Sequence, residues 1–223
     1  NKLDPINKGE VVWTVEAQRV AMIGKFFREG KYDASIIIAM AGSLVEKPRY
    51  YKTMMGAEVK SIVEGNIKLG EEPRYISGTV LTGEQVNVDG YISSTENTLT
   101  VIAEGREPEP FGWIAPNFGK FSLSRSYFSW LMPGKSYNLN TSMNGEERAF
   151  VVTGQYEQVF PMDILPQYLI KSIITNDIER MENLGIYEVA PEDFALCEFV
   201  CTSKMELQNI VREGLDLARA ELG

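Results

Sequence analysis

The sequence predicts three textures in succession: an α/β stretch, a small α+β module and, beyond an aromatic-rich connection, a bundle of helices. Three observations carry this. A helical period at residues 16–28 is flanked by two apolar strand signals; short strand candidates and glycine turns crowd residues 50–103 around one short helix; and from Asp163 onward the apolar spacing is helical.

In order, Val11-Val12-Trp13-Thr14-Val15 is β-branched and aromatic, a strand signal. From Glu16 to Arg28, Val20, Ile23, Phe26 and Phe27 recur at helical spacing, and Gly30 supplies the stop. Ile36 to Ala41 is the greasiest run of the chain, so residues 34–41 read as a buried strand. Strand, helix and strand make a βαβ unit with parallel strands. One such unit cannot cover both faces of its sheet, so it is expected to be the tail of an α/β domain whose body lies upstream. After Gly42, Lys47-Pro48-Arg49 turns into a strand from Tyr50 to Met54. Ala57, Val59, Ile62 and Val63 then form a short amphipathic helix ending at Gly65. Strands are expected at 74–81 and 98–103, with turns at Thr82-Gly83 and Asp89-Gly90. Glu107-Pro108-Glu109-Pro110 reads as an extended boundary, because each proline denies helix to the residue before it. Helices are expected over 164–174, 178–184 and 192–201, the last behind Pro191. Ser203-Lys204-Met205-Glu206 has the form of a capping box. It opens a final helix whose apolar stripe is Leu207, Ile210, Val211, Leu215, Ala218 and Leu222. The resulting divisions are 1–43, 44–104, 105–160 and 161–223.

Composition narrows the chemistry. The 223 residues carry 22 Lys and Arg against 31 Asp and Glu, a net charge of −9, which disfavours nucleic acid and anionic lipid as partners. There is no histidine, so no Ser-His-Asp or Cys-His pair and no His-ligated metal can be built from this chain. The two cysteines are too few for a disulfide scaffold and fit a reducing compartment. No apolar run approaches the length of a membrane span. The amino terminus lacks the apolar region of a signal peptide and an initiator Met, and the chain reads as a fragment of something longer.

Cys197 and Cys201 lie four apart in an expected helix and share a face. They read as half a metal site or as small buried apolar residues, and burial is the commoner fate of a free cysteine. Adjacent carboxylates such as Glu71-Glu72, Glu146-Glu147 and Glu192-Asp193 are expected to be solvated. No glycine-rich phosphate loop is present. Residues 111–130 hold seven aromatics, Phe111, Trp113, Phe118, Phe121, Tyr127, Phe128 and Trp130, where a share of 10% would place two. They could be the core of a small subdomain, line an apolar pocket for a quinone ring, or form a docking face with Lys120 and Arg125 beside it.

A set of ordered phrases resembles one family, the A-subunit of the bacterial Na+-translocating NADH:quinone reductase. The phrases are Val12-Trp13-Thr14, Gln18-Arg19-Val20, Ile23-Gly24-Lys25-Phe26-Phe27, Glu46-Lys47-Pro48-Arg49, Ile76-Ser77-Gly78, Glu104-Gly105-Arg106 and Phe111-Gly112-Trp113. Phe160 to Pro166 and Asp193 to Cys201 continue the series. The resemblance implies a C-terminal portion of that protein: the end of a Rossmann-like domain, a β-grasp ligand-binding module and a helical domain. The helical part is similar to the iron–sulfur domain of related electron-transfer proteins. Here Phe160-Pro161 stands in place of Cys-Pro, and the C-x-x-C-x-x-C run is missing. A cluster takes four thiolates, so no iron is expected.

These readings lead to a cofactor-free accessory subunit, without catalytic residues of its own, peripheral on the cytoplasmic side of the cell membrane. It would dock on the membrane subunits of a complex in which NADH and flavins lie elsewhere, with ubiquinone or menaquinone as the ligand it could touch. The alternative is a small-molecule-binding β-grasp module with no redox role.

Overall fold

The computed structural model describes residues 5–106, 111–112 and 117–222. The chain divides into two compact units. One comprises Trp13–Pro108 with Ser136–Ser142, and the other Asn1–Val12, Glu109–Lys135 and Met143–Gly223.

The first unit is a mixed five-stranded sheet. Its elements are helix α1 (Ala17–Glu29), strands β1 (Ser35–Ala41) and β2 (Arg49–Met54), helix α2 (Val59–Val63), and strands β3 (Pro73–Ser77), β4 (Glu84–Val86) and β5 (Thr98–Ala103). The spatial order is β2-β1-β5-β3-β4. β1 and β2 form an antiparallel hairpin with Ile38 opposite Tyr51. β1 and β5 run parallel at the centre, with Met40 beside Leu99. β3 pairs antiparallel with both β5 and β4. Ile36, Ile38 and Met40 of β1, Leu99 and Val101 of β5, and Val59, Ile62 and Val63 of α2 close one core against one face of the sheet.

Two expectations are corrected here. Residues 11–15 form no strand, and β1 finds its parallel partner in β5 instead, so the expected βαβ unit is absent. β1 thus shares one sheet with β2, β3, β4 and β5. Nor is β1 buried on both faces. Ile36 and Ile38 point inward while Ile37 is half exposed, the period of two that a sheet covered on one side imposes.

Two carboxamides stand in for missing strand partners. Ile37 lies beyond the reach of β5, and Gln18 of α1 occupies that edge: its Nε2 donates to the Ile37 carbonyl at 2.9 Å, and its Oε1 accepts the Ile37 N–H at 2.9 Å. Asn66, buried, does the same for the turn between β1 and β2, accepting from Lys47 N at 2.9 Å and donating to Lys47 O at 3.0 Å. A third fastening holds the returning segment 136–142. Arg74 grips Glu104 with two hydrogen bonds of 2.7 and 2.9 Å, and the Thr141 hydroxyl donates to the same carboxylate at 2.5 Å. Those donors, Arg74 foremost, hold the Glu104 carboxyl below its ordinary range.

The second unit is a helical bundle: α3 (Pro166–Ile174), α4 (Ile178–Asn183), α5 (Ala195–Val200) and α6 (Leu207–Leu222), with short 3₁₀ turns at Phe128–Leu131, Tyr156–Gln158, Ile186–Glu188 and Pro191–Phe194. The expected helix over 192–201 is therefore a 3₁₀ turn running into α5. Leu207 and Val211 of α6 meet Leu169, Ile170 and Ile173 of α3 in a core completed by Met181, Ile186 and Phe194. Gly214 permits the approach, since a Cβ there would sit 2.8 Å from Ile173 Cγ1.

The capping box is also corrected. The Ser203 hydroxyl donates to the Ala149 carbonyl at 3.0 Å, and Glu206 accepts from Asn209. The start of α6 is capped from α5, where Glu198 Oε2 accepts the Gln208 N–H at 3.0 Å.

Candidate functional site

The aromatic segment is organised around three backbone carbonyls, those of Gly112, Asn117 and Lys120. Tyr127 is buried and its hydroxyl donates to the Gly112 carbonyl at 2.8 Å. Lys120 Nζ donates to the same oxygen at 3.1 Å and lies 5.9 Å from the Tyr127 ring. The Ser129 hydroxyl donates to the Lys120 carbonyl at 2.5 Å, and Phe128 N–H to the Asn117 carbonyl at 3.1 Å. These bonds fold 117–131 into a compact loop ending in the 3₁₀ turn.

The loop holds its remaining rings at the surface. Phe118 and Phe128 face each other at 5.6 Å between ring centres. Phe121 stacks on Phe199 of α5 at 5.6 Å, nearly parallel at 19°. The Arg125 guanidinium lies 5.8 Å from the Trp130 ring. Phe111 and Arg125 adopt left-handed backbone, at φ 54° and 58°. Of the seven aromatics, then, Tyr127 is a structural tether, Phe111, Phe118, Phe121, Phe128 and Trp130 are exposed, and Trp113 lies outside the described residues. Leu131 and Met132 extend the apolar surface.

Phe199 is the member that sequence reading missed. A signal was present: Cys197 and Cys201 share the inner face of the helix, which turns Phe199 and Leu196 outward.

Both cysteines are free and buried in the bundle core. Tyr156 sits across them. Its hydroxyl donates to Cys201 Sγ at 2.8 Å, and its carbonyl accepts from the Cys197 thiol at 3.8 Å. Cys201 Sγ also accepts the Met205 N–H at 3.5 Å. Burial, with smaller contributions from the Glu157 and Cys201 charges, pushes the Cys197 thiol up to about 12. Burial likewise raises the Tyr156 hydroxyl. Among the described residues no cluster of Cys, Asp or Glu is placed to hold a metal ion. An iron–sulfur cluster does not fit this bundle, because the chain supplies two of the four thiolates and a tyrosine packs across them.

Residues 37–88 match the family described as NQRA C-terminal domain. Over 98% of its length the chain is 42% identical to the A-subunit of the Na(+)-translocating NADH-quinone reductase of Alcanivorax borkumensis, covering 49% of that protein. It is 40% identical to the protein of the same name from Hahella chejuensis, over 96% of this chain and 48% of that one. For Neisseria meningitidis serogroup B the figures are 38%, 98% and 49%. Along nearly all its residues the chain is thus related to the A-subunits of the Na(+)-translocating NADH-quinone reductases, and it spans about half the length of the relatives it matches.

Proposed function

We propose that the chain is part of a cofactor-free subunit of a Na+-translocating NADH:quinone reductase, where it docks on the membrane subunits from the cytoplasmic side. The observation that carries this reading is 42% identity sustained over 98% of the chain. Electron flow from NADH through flavins to quinone is then a property of the whole complex, and this chain supplies no catalytic residue. No helix among the described residues is long and apolar enough to cross a membrane, so attachment would come through partner subunits. The acidic charge suits a protein partner better than bare anionic lipid.

Within that reading the sheet unit is a β-grasp module. It has a hairpin, a helix over one face and a central parallel pair, which supports the assignment. The bundle is an iron–sulfur-type domain whose cluster has been replaced by an apolar core. Residues 1–43 are read as the end of a Rossmann-like domain, the resemblance to the relatives supporting that reading. The exposed rings of Phe118, Phe121, Phe128 and Trp130 form the face offered to a quinone or a partner protein.

Photo-crosslinking of a quinone analogue in the assembled complex, competed with free ubiquinone or menaquinone and mapped by mass spectrometry, tests the last point. Competable labelling at 117–132 or Phe199 is expected. Labelling confined to the other proteins of the complex would leave the face to protein contact alone.

A further inference from the structure

Helix α1 is mounted with its apolar stripe turned away from its own sheet. The side against the sheet carries Gln18, Arg19, Met22 and Lys25, and three of these are committed to polar contacts. Gln18 pairs with the Ile37 backbone, Arg19 with Met55 Sδ and the Ser94 carbonyl, and Lys25 with the Asp33 carboxylate at 2.6 Å. The other side carries Val20, Ile23 and Phe27, with Phe26 at its edge, and no residue of the helix is buried. Phe27 is 81% exposed, and Trp13, just ahead of the helix, 87%. A surface helix ordinarily packs its apolar stripe on the core and shows water its polar side. Here the order is reversed by bonds that fix the helix about its axis. A contiguous apolar patch of this kind marks a contact surface.

We infer that this stripe is the seat of the other half of the same polypeptide, the part that the relatives possess outside the region they share with this chain. The inference rests on the reading of the chain as part of a longer protein. The relatives' similarity runs over 98% of this chain while covering 49% of theirs, so an equal length of polypeptide stands outside it. Charge argues against a lipid surface as the occupant. Among the described residues of the helix, Lys25 pairs with Asp33, Arg28 with Glu29, and Arg19 is turned to Met55 Sδ and the Ser94 carbonyl, so each cation of α1 is already engaged rather than offered to anionic headgroups. Gly24 lies within the stripe, between Val20 and Phe27, with open space where its Cβ would be, so an apolar surface can come close to the helix backbone there.

Hydroxyl-radical footprinting of the wild-type full-length protein, purified away from the rest of the complex, tests this without a substitution. Oxidation of Phe27 and Trp13, corrected for intrinsic reactivity, is compared with Leu69 and Tyr91, exposed side chains of the same sheet unit. Phe27 and Trp13 should react at least about fivefold more slowly, as side chains in the dry centre of a contact do. Equal rates in the isolated full-length protein overturn the inference, including the case in which protection appears only on assembly of the complex. A natural gene product no longer than this chain would overturn the reading beneath it as well. A product about twice as long with a reactive Phe27 overturns this inference alone.

Discussion

Tyr156 ties the bundle core together with one hydroxyl and one carbonyl. Removing the hydroxyl in Tyr156→Phe keeps the ring against Phe150 and leaves Cys201 Sγ only its bond from Met205 N–H. A loss of about 1 kcal/mol is expected, read from the urea midpoint. Cys201→Ala should overlap with it, the double variant costing less than the sum because the two share one interaction. Gly42 is the position in the sheet unit least tolerant of change. Its φ of 126° belongs to the left-handed half of the map, and a Cβ there would run into the Val101 carbonyl. That carbonyl also accepts the Leu44 N–H, so the strand cannot move aside cheaply. Gly42→Ala should cost more than about 3 kcal/mol, seen as loss of the sheet signal in circular dichroism at ambient temperature.

Between α3 and α6 the fit depends on the absence of one methyl. Gly214→Ala gains helix propensity but drives a carbon into Ile173, for a net loss of about 1–2 kcal/mol; Ile173→Val in the same chain should recover part of it. Glu198→Ala removes the acceptor at the start of α6 and should cost about 1 kcal/mol, both changes being measured by thermal unfolding. Periodicity made α3, α4 and α6 legible in the sequence, because a stripe such as Leu207, Val211 and Ala218 has no other explanation. What escaped was whatever depended on distant partners. Val11 to Val15 has strand composition but no neighbour to pair with, whereas Glu84-Gln85-Val86 lacks that composition and forms β4 because β3 offers an edge. Ser203 has the residue type of a cap, and a carbonyl 54 residues away takes its hydroxyl. The stripe of α1 was visible, but its outward aim was not, since that is set by Gln18, Lys25 and Arg19 reaching across to groups elsewhere in the unit. The crowding of aromatics was equally plain, while the contact of Phe121 with Phe199, 78 residues on, left no mark that spacing could reveal.

For the molecule as a whole, pH acts on the clasp between 74, 104 and 141. The Glu104 carboxyl is held below its ordinary value of 4.5, so its contribution is full above that value and disappears as pH falls through the lowered one. Wild type should exceed Glu104→Gln in stability by a constant margin of about 1 kcal/mol near neutrality, and the two unfolding curves should converge below pH 4.5. The two buried thiols have a use of another kind. Cys197 and Cys201 are the only cysteines, both are 1% exposed or less, and a bundle core has to part before any reagent meets them. Their alkylation in native buffer is therefore a clock for the opening of the bundle. Its rate divided by that of the denatured chain gives an opening equilibrium constant for the bundle alone, apart from the cysteine-free sheet unit.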